Sequence, residues 1–166
     1  VLFALTFASA ADFDLIIRNA NIADGTGARL VKGELAVKDK RIVAVGEVKG
    51  SATVEIDAQG CVVAPGFIDV HTHSEDIVQK PVAENFLRMG VTTIVTGNCG
   101  NSRVDVAEFF QQVQQTGTTL NVATLIGHNS VRKEAMGGSF LRVPSSEQLE
   151  GMKTLVDKAM QDGAVG

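Results

Sequence analysis

Two histidines, His71 and His73, stand one residue apart in the stretch APGFIDVHTH (64–73), and a cysteine, Cys99, stands in GVTTIVTGNCG (90–100). Strand side chains alternate faces, so on a strand Asp69, His71 and His73 share one side, with the histidines nearest its C-terminal end. Two imidazoles ~7 Å apart at Cα, from a rise of about 3.3 Å per residue, can converge on one metal ion. A hydrogen-bonded pair of core histidines is the plainer use of the same motif. Cys99 lies just past a second apolar run. A thiolate there is a strong zinc ligand, and Gly97, Asn98 and Gly100 leave the backbone free to turn toward it; a buried structural cysteine is the alternative. Cys61, in GCVVAPG, fits that structural role as a small packing residue. A third apolar run ends in LIGHNSVR, which sets His128 at the same rim, either as a contact to substrate or ligand or as a solvated loop residue. Asp69 is placed to orient a ligand histidine from below or to join a buried polar network. Arg132, Lys133 and Glu134 read as solvent-facing.

The elements that must position these groups fall into two rhythms. From Phe13 to about Val63, FDLIIRNA, GELAVKDKRIVAVG and ATVEID carry β-branched residues between turn residues, with a hairpin expected at Asp39-Lys40. After Pro65, strand and helix alternate. FIDVHTH reads as an apolar strand, VTTIVTG as a second, buried strand and LNVATLIG as a third. PVAENFLRM reads as a helix from Pro81, with Val82, Phe86 and Met89 on one face and a stop at Gly90. Asp105 with Glu108, and Ser145 with Gln148, have capping-box spacing ahead of two further amphipathic helices, the second with Leu149, Met152, Leu155, Val156 and Ala159 on its face. The closing GAVG reads as the opening of a fourth strand. Such alternation predicts an α/β fold with a parallel sheet. A complete eight-stranded barrel takes ~250 residues, and about 100 follow Pro65. The sequence therefore reads as a β segment over 12–64 and the first three βα units of an incomplete barrel over 65–166. A small open doubly wound domain ranks second, because no Gly-rich phosphate turn follows the first strand.

Composition limits the partners. Hydrophobic residues make up 45% of the chain and charged residues 20%, which argues against disorder. The net charge is −4 and the basic residues are scattered, so nothing calls for nucleic acid or an anionic membrane surface. No stretch reaches the ~18 apolar residues that span a bilayer. The opening VLFALTFASA ends in the small-x-small pattern Ala8-Ser9-Ala10, so residues 1–11 read as the remainder of a signal peptide and the protein as secreted or periplasmic, a short apolar first strand being the alternative.

PGFIDVHTH, followed by GVTTIVTGNCG and LIGHNSVR, resembles the amidohydrolase superfamily and, within it, the D-aminoacylases or N-acyl-D-amino-acid deacylases. The resemblance implies a metal-dependent TIM-like (β/α) barrel with a small β-sandwich, and a site using one or two zinc ions. It matches His71 and His73 to the superfamily's paired histidines and Cys99 to the D-aminoacylase zinc cysteine. The remaining zinc histidines and the catalytic aspartate belong to later strands, so no catalytic residue is assigned within this sequence. The implied substrate is a small N-acyl-D-amino acid. Cyclic-amide hydrolases of the hydantoinase and dihydroorotase kind share the PGxIDxHxH pattern without needing Cys99, and a non-catalytic barrel scaffold is the non-enzyme alternative.

Overall fold

The computed structural model describes residues 11–138 and 142–166, and the expected leader lies almost wholly outside them. The chain divides into two compact units, Val1–Pro65 and Gly66–Gly166.

In the first unit, β1 (Phe13–Ile22), β2 (Val31–Lys38), β3 (Arg41–Gly46), β4 (Ala52–Asp57) and β5 (Val62–Val63) form one sheet in the order β3-β2-β1-β4, with β5 also pairing β1. The β2–β3 hairpin turns at Asp39 and Lys40, both at positive φ, the backbone a two-residue turn needs to match strand twist. Ile16 and Ala36 bury one face with Val48. Cross-strand pairs put Leu15 opposite Val54 and Leu35 opposite Val45 on the other face, where Val45, Val54 and Ile56 remain exposed. Among the described residues the unit is therefore a single layer. Arg18 bridges Glu55 of β4 and Glu34 of β2. The Glu55 carboxylate, its first partner, raises the guanidinium pKa still further above its ordinary value, and Glu55 is lowered in return.

The second unit holds a parallel sheet, β6 (Phe67–Asp69), β7 (Val91–Thr96) and β8 (Asn121–Thr124), in that order. Its helices are α1 (Glu84–Arg88), α2 (Val106–Thr116), α3 (His128–Ala135) and α4 (Ser146–Gln161). Ile94, in the central strand, packs with Ile77, Ala83, Val91, Phe109 and Leu120. The expected parallel α/β pattern is present, and α2 and α4 begin where their caps predict. Asp105 accepts the Glu108 N–H, and Gly117 ends α2 at φ +73. Ser145 and Gln148 form a reciprocal capping box. Replacing Ser145 by alanine leaves the Gln148 N–H without that acceptor and should destabilise the protein by ~1 kcal/mol, read as a lower urea midpoint; an unchanged midpoint would mean that the cap contributes nothing here.

Five expectations need correction. The strand FIDVHTH stops at Asp69. The first helix begins at Glu84 instead of Pro81, because Thr119 takes the groups an earlier turn would use: its N–H donates to the Pro81 carbonyl and its Oγ1 accepts the Ala83 N–H. Val82 and Met89 are consequently exposed, and Ala83 with Phe86 faces the core. LIGHNSVR is not a strand end running into a loop, since α3 starts at His128. Cys61 is exposed in a turn whose N–H reaches the Ala58 carbonyl, so it is not a packing residue. The closing GAVG lies beside β8 without becoming a regular strand: the Val165 N–H donates to the Thr124 carbonyl and the Ile126 N–H to that of Gly166. Among the described residues, no helix is long and apolar enough to cross a membrane.

Candidate metal centre

Although β6 ends at Asp69, the chain stays against β7. The Thr72 N–H and Oγ1 both donate to the Val95 carbonyl, each at 3.0 Å, and the Ser74 N–H reaches Thr96 Oγ1 at 3.1 Å. Thr72 is buried while His71 and His73 on either side are exposed, so the two imidazoles share a side as strand alternation would have it. Their ring centroids lie 5.7 Å apart at an interplanar angle of 69°. Asp69 Oδ1 accepts the His71 backbone N–H at 3.1 Å. The carboxylate thus shapes the main chain entering the histidine pair and makes no hydrogen bond to an imidazole.

Cys99 follows β7 in a turn held from three directions. Gly97 and Gly100 adopt φ of +84 and +81, and Cys99 itself adopts +55, a left-handed conformation uncommon for a residue with a Cβ. The Gly97 N–H donates to Glu75 Oε1 at 3.0 Å. The Asn98 side chain, in a residue only 8% exposed, donates to the carbonyls of Thr72 and Val95. The Gly100 carbonyl accepts the N–H groups of Asn129 and Ser130, closing the first turn of α3 from outside the helix. A Cβ on Gly127, the residue before α3, would overlap the Gly100 carbonyl, so turn and helix start approach as backbone on backbone.

The turn brings Cys99 Sγ to 3.4 Å from His71 Nε2, and the ligand atoms of His71, His73 and Cys99 all lie within 4.8 Å of one another. Tetrahedral zinc with bonds of about 2.3 Å to sulfur and 2.0–2.1 Å to nitrogen spaces those two donors about 3.6 Å apart. The observed edge fits, and two imidazoles with one thiolate suit zinc while leaving a coordination position open. Asp69 and His128 are not members of this group. His128 is exposed at the first residue of α3, in a groove with Ile126, Val131 and Met152. The site thus draws on Asn98, Glu75 and Asn129, whose contacts the sequence patterns do not reveal; the one visible hint was a polar residue flanked by glycine and cysteine in GNCG.

Residues 54–166 match the amidohydrolase family. The chain belongs to that family. Within it, the chain is 30% identical to a D-aminoacylase of Alcaligenes xylosoxydans xylosoxydans over 93% of its own length and 37% of the relative's. It is 33% identical to the N-acyl-D-aspartate deacylase of the same organism over 94% of its length and 36% of the relative's. It superposes with a TM-score of 0.88 and 34% identity on the crystal structure of N-acyl-D-glutamate deacylase from Bordetella bronchiseptica, covering 93% of this chain and 37% of that one; that enzyme is complexed with zinc and a phosphonate mimic of the tetrahedral intermediate. The chain thus spans a little over a third of the length of these relatives.

Proposed function

We propose that the protein hydrolyses the amide bond of N-acyl-D-amino acids, releasing a carboxylate and a free D-amino acid, at a zinc site held by His71, His73 and Cys99. The observation that carries this is the convergence of two imidazoles and a cysteine sulfur within 4.8 Å, in a chain similar to D-aminoacylase and N-acyl-D-aspartate deacylase. Zinc in such a site supplies Lewis acidity and a water activated near neutral pH. The residues of this chain hold and orient: the Thr72–Val95 bonds fix the histidines to β7, Asp69 shapes the approach to His71, and the Gly97–Gly100 turn presents the thiolate. In hydrolysis the oxygen of water adds to the acyl carbon, the C–N bond breaks, and the proton of the water passes to the leaving amine. No residue described here is assigned that proton transfer, and the family resemblance gives it to an aspartate on a later strand.

The test is stereochemical. Full-length protein loaded with zinc should release amino acid from N-acetyl-D-methionine or N-acetyl-D-leucine with kcat/KM at least about tenfold above the L forms, a discrimination of roughly 1.4 kcal/mol. Preferential opening of hydantoin or dihydropyrimidine rings would move the protein to the cyclic-amide hydrolases. Zinc binding with no turnover of either class would leave the scaffold alternative.

A further inference from the structure

We propose that Asn98 is the positioning residue that holds Cys99 in register with the histidine pair, an inference that rests on the metal site proposed above. Asn98 is 8% exposed, although the cysteine beside it faces outward. Its Nδ2 donates to the Val95 carbonyl at 3.0 Å and to the Thr72 carbonyl at 3.3 Å. Thr72 is the residue between the two histidines, itself buried and tied to Val95 by its N–H and its hydroxyl. One carboxamide nitrogen therefore joins the end of β7, the histidine stretch and the cysteine turn. Among the described residues, the Asn98–Thr72 bond is the direct hydrogen-bonded link between 71–73 and 98–100 apart from the Sγ–Nε2 contact itself.

The chemistry of the position is specific. Two carbonyl oxygens converge on one side chain, and a primary amide offers two N–H donors on a single nitrogen. An aspartate of the same size offers none when ionised, and leucine offers none at all. Cys99 needs such a tie because no strand ladder holds it and its φ of +55 is a conformation that a residue with a Cβ leaves when its surroundings permit. Relaxation of that torsion moves Sγ off His71 Nε2. Asn98 reaches none of the three donor atoms by a hydrogen bond and acts through where it sets the turn.

The experiment uses full-length protein stripped of metal and reloaded with Co(II), whose thiolate charge-transfer band reports a sulfur ligand directly. Wild type, Asn98→Leu and Asn98→Asp are compared for that band, for cobalt affinity by chelator competition, and for metal-free Tm. A structural role alone would lower the Tm of the metal-free protein and leave the band and the affinity of the folded fraction unchanged. The positioning role predicts a weakened thiolate band and an affinity lowered about 10–100-fold in both variants, the scale for losing a group that orients a metal ligand. Asn98→Asp keeps the side-chain volume and is decisive if the leucine variant does not fold. Wild-type band and affinity within about twofold in the aspartate variant would overturn the proposal. Absence of a thiolate band in wild type would instead overturn the metal site, and the role of Asn98 with it.

Discussion

Cys99→Ser should strip the full-length protein of metal: zinc content after dialysis falls toward zero, affinity drops by more than about a hundredfold, and amide turnover goes with it. Loss of a residue that only orients a ligand already costs 10–100-fold, and here the ligand itself is replaced. The size of the effect follows from the donor. A thiolate is a soft, anionic ligand, and serine at neutral pH offers a neutral hydroxyl that zinc binds poorly. Cys99 is exposed and its Sγ lies 3.4 Å from His71 Nε2, so the substitution removes one corner of the donor triangle without vacating space in a core. Cys61→Ser is the control. Cys61 is exposed and outside the donor group, so its replacement should leave zinc content and rate unchanged and shift stability by less than about 0.5 kcal/mol, as surface substitutions do. Elemental analysis beside turnover, for all three proteins, reads the result. Full zinc and full rate in Cys99→Ser would remove the metal role of the GNCG turn.

Gly97→Ala should be strongly destabilising. Gly97 sits at φ +84, and a Cβ there would overlap the carbonyl oxygen of Leu125 and approach its carbonyl carbon and nitrogen to 3.0 Å. Those atoms are backbone just past the end of β8 and cannot rotate aside. A left-handed conformation costs a residue with a Cβ roughly 1–2 kcal/mol, and overpacking typically adds another 1–3. Gly117→Ala separates the two terms, because Gly117 has φ +73 with nothing within 4 Å of the added carbon. Urea melts should give Gly117→Ala a loss of about 1–2 kcal/mol and Gly97→Ala about 2–5. Equal losses would mean that the close approach to Leu125 is not a constraint. Because Gly97 opens the turn that carries Cys99, whatever Gly97→Ala remains folded should also bind zinc more weakly than Gly117→Ala.

Much of this is legible in local chemistry. The caps at Asp105 and Ser145 are short-range hydrogen-bond patterns, and the shared side of His71 and His73 follows from alternation in a stretch that the Thr72–Val95 bonds hold against β7 beyond the end of β6. What escaped depends on contacts far along the chain. Helix α3 has one buried residue, Val131, and no side-chain cap; its first turn is closed by the carbonyl of Gly100, so nothing within GHNSVRKEA announces it. The late start of α1 is set by Thr119, 36 residues from Ala83. Asn98 reads in sequence as a turn residue because its value lies in two carbonyls, one of them 26 residues away. Free cysteines usually lie in the interior, but the turn at Ala58–Cys61 places Cys61 outside.

Strands β6 and β7 are neighbours in the sheet as well as in the chain, and His71 and Cys99 are 28 residues apart. A ribosome adding about 5–20 residues per second covers that separation in roughly 1.5–6 s. All three donors are therefore present in the growing polypeptide before Asn121 of β8 has been joined to it. A thiol and two imidazoles in this arrangement bind copper at least as avidly as zinc by the general order of divalent-ion affinities. A site built on these three side chains, as proposed, therefore depends on the supply of zinc relative to copper where the protein matures as well as on its own donors.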